Sequence, residues 1–356
     1  MHLLPLAARS LAFALLGIAP TLIARAAEFP NAAQPQLAAT AEGRVYLAFG
    51  RGQEIFVAHS DDGGVTFGQA NKVATLPKLM LGMRRGPRIA AHGNRVTVTL
   101  IGQELFAFTS ADGGKTWSDA ATVNDVPASA REGLHDLTGA PDGRLFVTWL
   151  DLRSGKTELW GAFSQDGGRT WGKNEQVYRS PDTSICECCH PTALFDTGGN
   201  LAVMWRNSIE GTRDMWLSTR PNGANQFAAA RKLGEGTWNL KGCPMDGGRI
   251  VAAGGGKFWS VWQRAGEVFL TRAEGGEVSL GQGKQPIVIS NGGQAFVFWQ
   301  RGTDLVSVRD LRDAEPVKLA SDARFATAVA LKDGRGAILA YEQGAAKEPR
   351  IVIERL

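Results

Sequence analysis

Three segments of the sequence repeat one short pattern at a nearly regular interval. They read SDDGGVTF at 60–67, SADGGKTW at 110–117 and SQDGGRTW at 164–171. Their central aspartates lie 50 and 54 residues apart, a period typical of a propeller or a solenoid. Each segment suits a hairpin turn, in which the aspartate accepts backbone hydrogen bonds, the glycine pair allows positive φ, and the aromatic residue packs beneath. The chain is therefore predicted to be built from repeated β units.

A weaker pattern extends the repeat over the rest of the chain. Seven times, a short apolar strand is followed by a glycine-containing or polar turn and a second apolar strand, as in PTALFD before GNLAVMWRN. Seven such units predict an all-β propeller of seven four-stranded blades, with six blades as the alternative. The last unit ends at RIVIERL, one strand short. A strand near Glu28 to Ala33 could complete that blade and close the ring.

The three segments resemble the Asp-box (BNR) repeat of the sialidase-like superfamily, S-x-D-x-G-x-T-W. The resemblance implies a propeller but not an activity. Sialidases carry an Arg-Ile-Pro on the first inner strand and a tyrosine nucleophile in the final blade. Those positions are Ala33 and Phe325 in this sequence. Two defining residues of the family are thus missing, and a conventional sialidase is not predicted.

The N-terminus has the composition of a secretory signal peptide. Arg9 precedes an apolar run from Leu11 to Ile23, and small residues follow at Ala26 and Ala27. This pattern predicts a signal peptide over residues 1–27 and one propeller domain over 28–356, with an uncleaved anchor as the alternative. No membrane span is predicted after cleavage. The mature chain is expected to be exported, to the periplasm of a Gram-negative cell or otherwise by secretion.

Charge excludes one class of partner. The net charge of +4 is modest for 356 residues, and no basic run with interleaved aromatic residues occurs. Nucleic-acid binding is therefore not indicated. The oligomeric state is not predicted.

Three of the four cysteines lie within SICECCHPTALFD at 184–196. This stretch immediately precedes the inner strand of the fourth unit, and the fourth cysteine precedes the inner strand of the fifth. Loops at the start of inner strands surround the mouth of a propeller's central channel. We therefore expect a cysteine-rich mouth, whose candidate metal or disulfide residues are Cys186, Cys188, Cys189, His190, Cys243 and Met245.

Three interpretations of this cluster stay open. Export favours disulfides, for example from Cys243 to Cys186 or Cys188. Thiolate, imidazole and thioether ligands together suit a soft metal, copper or zinc. The third is cysteine nucleophilic catalysis, for which His135 is the better-placed base.

Equivalent loops and strand ends bring arginines and acidic residues to the same mouth. The candidate ligand-binding arginines are Arg84, Arg85, Arg88, Arg206, Arg264 and Arg301, because a guanidinium suits carboxylate or sulfate binding. The candidate catalytic residues are Glu132, His135, Asp136 and Asp151. The sequence thus predicts an exported propeller that binds a small molecule, an acidic glycan or a soft metal at its mouth. The alternative is a glycoside hydrolase or lyase acting on acidic glycans.

Overall fold

The computed structural model describes residues 24–182, 184–272, 275–291, 293–309, 315–334 and 336–356. These residues form 28 strands in seven antiparallel four-stranded sheets, with no helix. The predicted seven-bladed propeller is confirmed, and the six-bladed alternative is wrong. No described segment is a helix of the length and hydropathy that crossing a membrane would require.

Each of the first six blades is formed by four strands that follow one another in the chain. The first two blades comprise β2 (Ala33–Ala39), β3 (Val45–Arg51), β4 (Glu54–Ser60), β5 (Asn71–Thr75), β6 (Arg88–His92), β7 (Arg95–Gly102), β8 (Glu104–Ser110) and β9 (Ala121–Thr122). The third and fourth comprise β10 (His135–Gly139), β11 (Leu145–Asp151), β12 (Glu158–Ser164), β13 (Glu175–Tyr178), β14 (Thr192–Phe195), β15 (Leu201–Arg206), β16 (Met215–Arg220) and β17 (Arg231–Lys232). The fifth and sixth comprise β18 (Gly248–Gly254), β19 (Lys257–Arg264), β20 (Glu267–Thr271), β21 (Glu277–Gln282), β22 (Lys284–Asn291), β23 (Gln294–Arg301), β24 (Asp304–Arg309) and β25 (Val317–Ala320).

The seventh blade is completed by the beginning of the chain. Its strands are β26 (Ala323–Ala330), β27 (Ala337–Gln343) and β28 (Arg350–Arg355), and β1 (Ala24–Pro30) pairs with β28. The predicted closing strand is therefore present, although it begins before Glu28. Most of the predicted signal peptide, residues 1–23, lies outside the described residues. The segment 24–27, also included in that prediction, pairs with β28 in this structure.

The predicted turn chemistry is present in all three Asp-box segments. In the second of them, Asp112 accepts hydrogen bonds from the backbone N–H groups of Lys115 and Thr116 and from the hydroxyls of Ser110 and Thr116. The adjacent Gly113 and Gly114 both have positive φ, which a side chain would oppose. The turns connect the third and fourth strands of their blades, on the face where the inner strands end. We call this the Asp-box face and the opposite one the mouth face.

Hydrophobic clusters hold the blades together. Seven clusters of buried side chains each belong to two neighbouring blades, including the last and the first. Four consecutive blades also bury a tryptophan on the second strand, and these are Trp149, Trp205, Trp262 and Trp299. Because every sheet face packs on a neighbour, the seven sheets share one continuous core around the channel.

Candidate functional site

Three thiols form a compact buried cluster on the mouth face. Cys186, Cys188 and Cys189 lie in the loop before β14 and are 2, 9 and 1% exposed. The sulfur of Cys186 is 3.8 Å from that of Cys188 and 3.5 Å from that of Cys189. Among the described residues, no other three histidine, cysteine or acidic side chains bring ligand atoms within 4.8 Å of one another. These three residues are hereafter the thiol cluster.

The second predicted loop reaches the same place. Cys243 precedes β18 and is exposed, and its thiol lies close enough to Cys188 to affect its acidity. Met245 packs against the thiol cluster. All four cysteines are free thiols, so the disulfide expected from the sequence is not formed in this structure.

The backbone of His190 closes the space between the two loops. Its ring and carbonyl oxygen lie against Gly247, where a Cβ atom would be 2.2 Å from that oxygen. Only glycine allows this close approach of the two loops. The His190 side chain also lines a small cavity in the channel, beside Arg84 and Arg249. His190 is therefore next to the thiol cluster in sequence but faces the channel.

Arg206 connects the loop before β14 to the loop before β18. Its backbone oxygen accepts a hydrogen bond from the N–H of Cys186, and its guanidinium donates to the backbone oxygens of Asp246, Gln263 and Arg213. The side chain is fully buried. A predicted ligand-binding arginine is therefore occupied by backbone carbonyls, and its positive charge lies near the thiols.

The thiols shift one another's acidity. Hydrogen bonds from the thiols of Cys188 and Cys189 hold the pKa of Cys186 well below its usual range. Burial raises the pKa of Cys189, and the hydrogen bond to Cys186 raises that of Cys188. The three sulfurs therefore share one thiolate, and the nearby positive charge of Arg206 favours it. Such a low-pKa sulfur is a good metal ligand or nucleophile.

Two other predicted arginines lie inside the channel rather than on its rim. Arg84 donates to the backbone oxygens of Ala326 and Gln285, and Arg88 donates to that of Arg84 and lies 3.6 Å from a carboxylate oxygen of Asp136. Both are buried, and burial lowers the pKa of each to about 10. They help to close the channel at its mouth end.

The remaining arginines are spread around the rim. Arg85 is half-buried and donates to the backbone oxygen of Glu132. Arg264 forms an ion pair with Glu277, and Arg301 is exposed at the end of β23. The predicted arginine cluster is thus divided between the channel interior and separate places on the rim.

The candidate catalytic side chains are mostly buried and bound. Asp151 accepts hydrogen bonds from Trp149 and Arg153 and is fully buried, and buried Asp136 accepts one from the backbone N–H of Ala193. His135 contacts Thr99 through Nε2, while its Nδ1 is buried without a hydrogen-bond partner. Burial, followed by the charge of Arg88, lowers the pKa of His135. The side chain of Glu132 is half-buried in the loop before β10.

The structure adds residues that the sequence analysis missed. Three inner strands carry the same bulge, and the bulged residues Gln34, Gln285 and Phe325 all have positive φ. The N–H of Gln34 is bound by Glu342 of the preceding blade, and that of Gln285 by Asp246. Bulges have no strong sequence signal. Asp246 could have been identified from its place just before β18, because Asp136 lies at a similar place near the start of β10. These contacts join the first, fifth, sixth and seventh blades at the mouth.

Arg249 was also missed, although its place near the start of β18 matches that of Asp136 in β10. It lies 3.5 Å from Asp136 and reaches into the channel. The blade register used to place the cysteines would have identified it.

The fold has known counterparts. Residues 89–240 match the BNR repeat-like domain family. No curated protein matches the sequence. Similar solved structures include an intramolecular trans-sialidase from Ruminococcus gnavus in complex with oseltamivir carboxylate, at 13% identity and a TM-score of 0.57, covering 91% of this chain and 94% of that one.

Two further structures have comparable similarity. A protein of unknown function from Dyadobacter fermentans has 14% identity and a TM-score of 0.56, with 94% and 98% of the two chains covered. An alpha-L-arabinofuranosidase from Fusarium graminearum has 11% identity and a TM-score of 0.51, with the same coverage. The family match, the Asp-box turns and these folds agree. The chain is a seven-bladed β-propeller with Asp-box turns, and its residues 89–240 match the BNR repeat-like domain family.

Proposed function

We propose that this protein is an exported metal-binding propeller that holds one Cu(I) ion at the thiol cluster. The observation that carries the proposal is the convergence of three buried sulfurs within 4.8 Å of one another. Thiolates and thioethers are the ligands that soft Cu(I) prefers in proteins. The ion would replace the thiol protons, so binding would release protons to solvent.

The donor set favours Cu(I) over Zn²⁺. A structural zinc site needs four ligands in a tetrahedron, and the fourth candidate here, Cys243, is exposed at the rim. Three buried thiolates match the lower coordination number of Cu(I), and the Met245 side chain packs against them. The nearby guanidinium of Arg206 would offset part of the negative charge of the thiolates. Cys243 would serve as the exposed ligand through which the ion enters or leaves.

The test is anaerobic titration of the reduced protein with Cu(I) in competition with a bicinchoninate chelator. We expect one equivalent to bind, with Cys186→Ser and Cys189→Ser each weakening affinity at least about a hundredfold, because each removes a thiolate ligand. Cys243→Ser should mainly slow exchange of the ion. Ser184→Ala, in the same loop, is the matched control and should bind as the wild type does.

Two results would contradict the proposal. Tighter binding of Zn²⁺ than of Cu(I), with Cys243→Ser as damaging as Cys189→Ser, would indicate a four-cysteine zinc site. Protein isolated from its own compartment with no metal and no free thiols, by mass spectrometry after alkylation, would restore the disulfide interpretation.

The glycosidase alternative stays a prediction supported by fold alone, since two of the similar structures act on glycosidic substrates. Of its candidate carboxylates, Asp136 and Asp151 are buried and engaged in hydrogen bonds. Hydrolysis of a fluorogenic sialoside, abolished by Glu132→Gln, is the result that would favour this alternative.

A further inference from the structure

The central channel is closed at the mouth face and open at the Asp-box face. At the mouth end, the side chains of Arg84, Arg88, His135 and His190 are all buried. At the opposite end the channel widens into a cavity of about 390 Å³. Exposed Ala39, His92 and Arg95 stand at its rim. Entry is therefore from the Asp-box face, opposite the thiol cluster.

Small apolar side chains form most of the walls of this cavity, with the polar side chains of Thr97, Thr138 and Ser290 among them. The inner strands contribute residues such as Ala90, Leu137, Ile250, Val288 and Ala328. A cavity of 390 Å³ is within the range of small-molecule sites, which are mostly apolar with a few polar groups that fix orientation. Here the polar group at the inner end is the guanidinium of Arg249.

A second, much smaller cavity of about 20 Å³ adjoins the first toward the mouth. Arg249, Val288 and Ala328 line both cavities. Arg84 and His190 complete the inner end, with Gln36 beside them. The space suffices for about one water-sized group. The channel thus tapers from an apolar chamber to a narrow cationic end.

At this end of the channel Arg84 has no direct carboxylate partner, although the charges of Asp246 and Glu342 act on it from farther away. Among the described residues, Arg84 has no carboxylate oxygen within 4.0 Å, and its Nε is buried without a hydrogen-bond partner. Asp136 is shared by Arg88 and Arg249 at 3.6 and 3.5 Å. Buried charges are normally paired, because desolvating an unpaired charge is costly. An anionic group would supply the missing partner.

We propose that the channel is a second ligand site, which takes a small apolar monocarboxylate from the Asp-box face with its carboxylate at Arg249, Arg84 and His190. The apolar body of the ligand occupies the chamber between the inner strands. This site is separate from the thiol cluster and does not depend on metal binding. Arg249 is the accessible anchor, since its side chain is 32% exposed whereas those of Arg84 and Arg88 are buried.

The test uses hexanoate as the probe, with hexanol and chloride as comparison ligands, in calorimetric titrations of the full mature chain without metal. Hexanoate should bind one equivalent, and hexanol should bind more weakly by about tenfold or more, because it lacks the charge-assisted contact. Arg249→Gln should weaken hexanoate binding by about tenfold to a hundredfold. Ala91→Leu, which fills part of the chamber, should abolish hexanoate binding.

Arg95→Gln is the matched control, since it removes an exposed rim arginine, and it should change hexanoate affinity by less than about threefold. Equal binding of hexanoate and hexanol would overturn the proposal, as would an unchanged affinity in Arg249→Gln. Binding of chloride without hexanoate would replace the organic ligand by a monatomic ion and would equally overturn it. Cu(I) binding by Arg249→Gln should match the wild type, so that the two sites are tested independently.

Discussion

At the scale of single residues, the channel depends on groups whose ionisation burial controls. His135 and His190 are both buried, and burial is the largest cause of the lowered pKa of each. Arginines then lower the pKa of both further. Both imidazoles are therefore held neutral in the folded protein, where protonation would add positive charge to an already cationic region.

This arrangement predicts a loss of stability in mild acid. Below pH about 6.5 the unfolded chain protonates His135 while the folded chain does not, so the free energy of unfolding falls as pH falls. Each such histidine contributes a slope of about 1.4 kcal/mol per pH unit. Urea denaturation between pH 7 and 5 should show a steeper loss in the wild type than in His135→Gln, by about that amount. Parallel curves for the two proteins would show that folding does not lower the pKa of His135.

At the scale of elements, the Asp-box turn and the inner strand differ in how far sequence predicts them. The turn is local: Ser110, Asp112 and Thr116 satisfy one another within seven residues, so the motif alone predicted that Asp112 accepts backbone hydrogen bonds. The bulges at Gln34, Gln285 and Phe325 depend on acceptors from other blades, such as Glu342 for Gln34. No local pattern could reveal those contacts.

The serine of the turn offers a test of its structural role. Ser110 is buried, and its hydroxyl accepts a hydrogen bond from the N–H of Gly114 and donates one to Asp112. Ser110→Ala should lower the free energy of unfolding by about 1–3 kcal/mol, because it leaves a buried N–H unsatisfied. Ser321→Ala, at an exposed serine, should change it by less than about 0.5 kcal/mol. Equal losses of unfolding free energy in the two variants would show that the hydrogen bonds of Ser110 do not stabilise the turn.

At the scale of the whole molecule, ring closure joins the two ends of the described chain. Phe29 of β1 packs against Phe49 of the first blade with ring centroids 5.0 Å apart, while β1 itself pairs with β28 of the seventh. One strand thus belongs to the sheet of the last blade and to the core that it shares with the first. Closure in this way leaves no unpaired strand between the two blades.

Phe29→Ala should therefore cost about 3 kcal/mol or more, because it leaves a cavity at the junction of the first and seventh blades. Val317→Ala, at an exposed position of β25, is the control and should change stability by less than about 0.5 kcal/mol. Urea denaturation curves of both variants and of the wild type give the free energies of unfolding to be compared. A small effect of Phe29→Ala would mean that closure depends on the backbone pairing of β1 alone.

The amino-acid sequence alone predicted the repeat, the seven blades, the closing strand and the meeting of the two cysteine loops. All of these follow from periodicity, because a fixed period places equivalent loops on the same face. Signal cleavage and export stay predictions, with residues 1–23 outside the described residues. Cys243 lies near Cys188 although the two are 55 residues apart in the chain. The blade register alone was enough to predict that their loops meet.

Which side chains are free to bind a ligand follows from the folded ring and not from the sequence. Arg84, Arg88 and Arg206 appeared equivalent to Arg301 in the sequence, yet three are buried on backbone carbonyls and one is exposed. Likewise Asp136 is occupied by the backbone N–H of Ala193 from the next blade. Burial and pairing depend on what other blades bring to the channel axis. Those distances are set by packing around the ring, which no local pattern encodes.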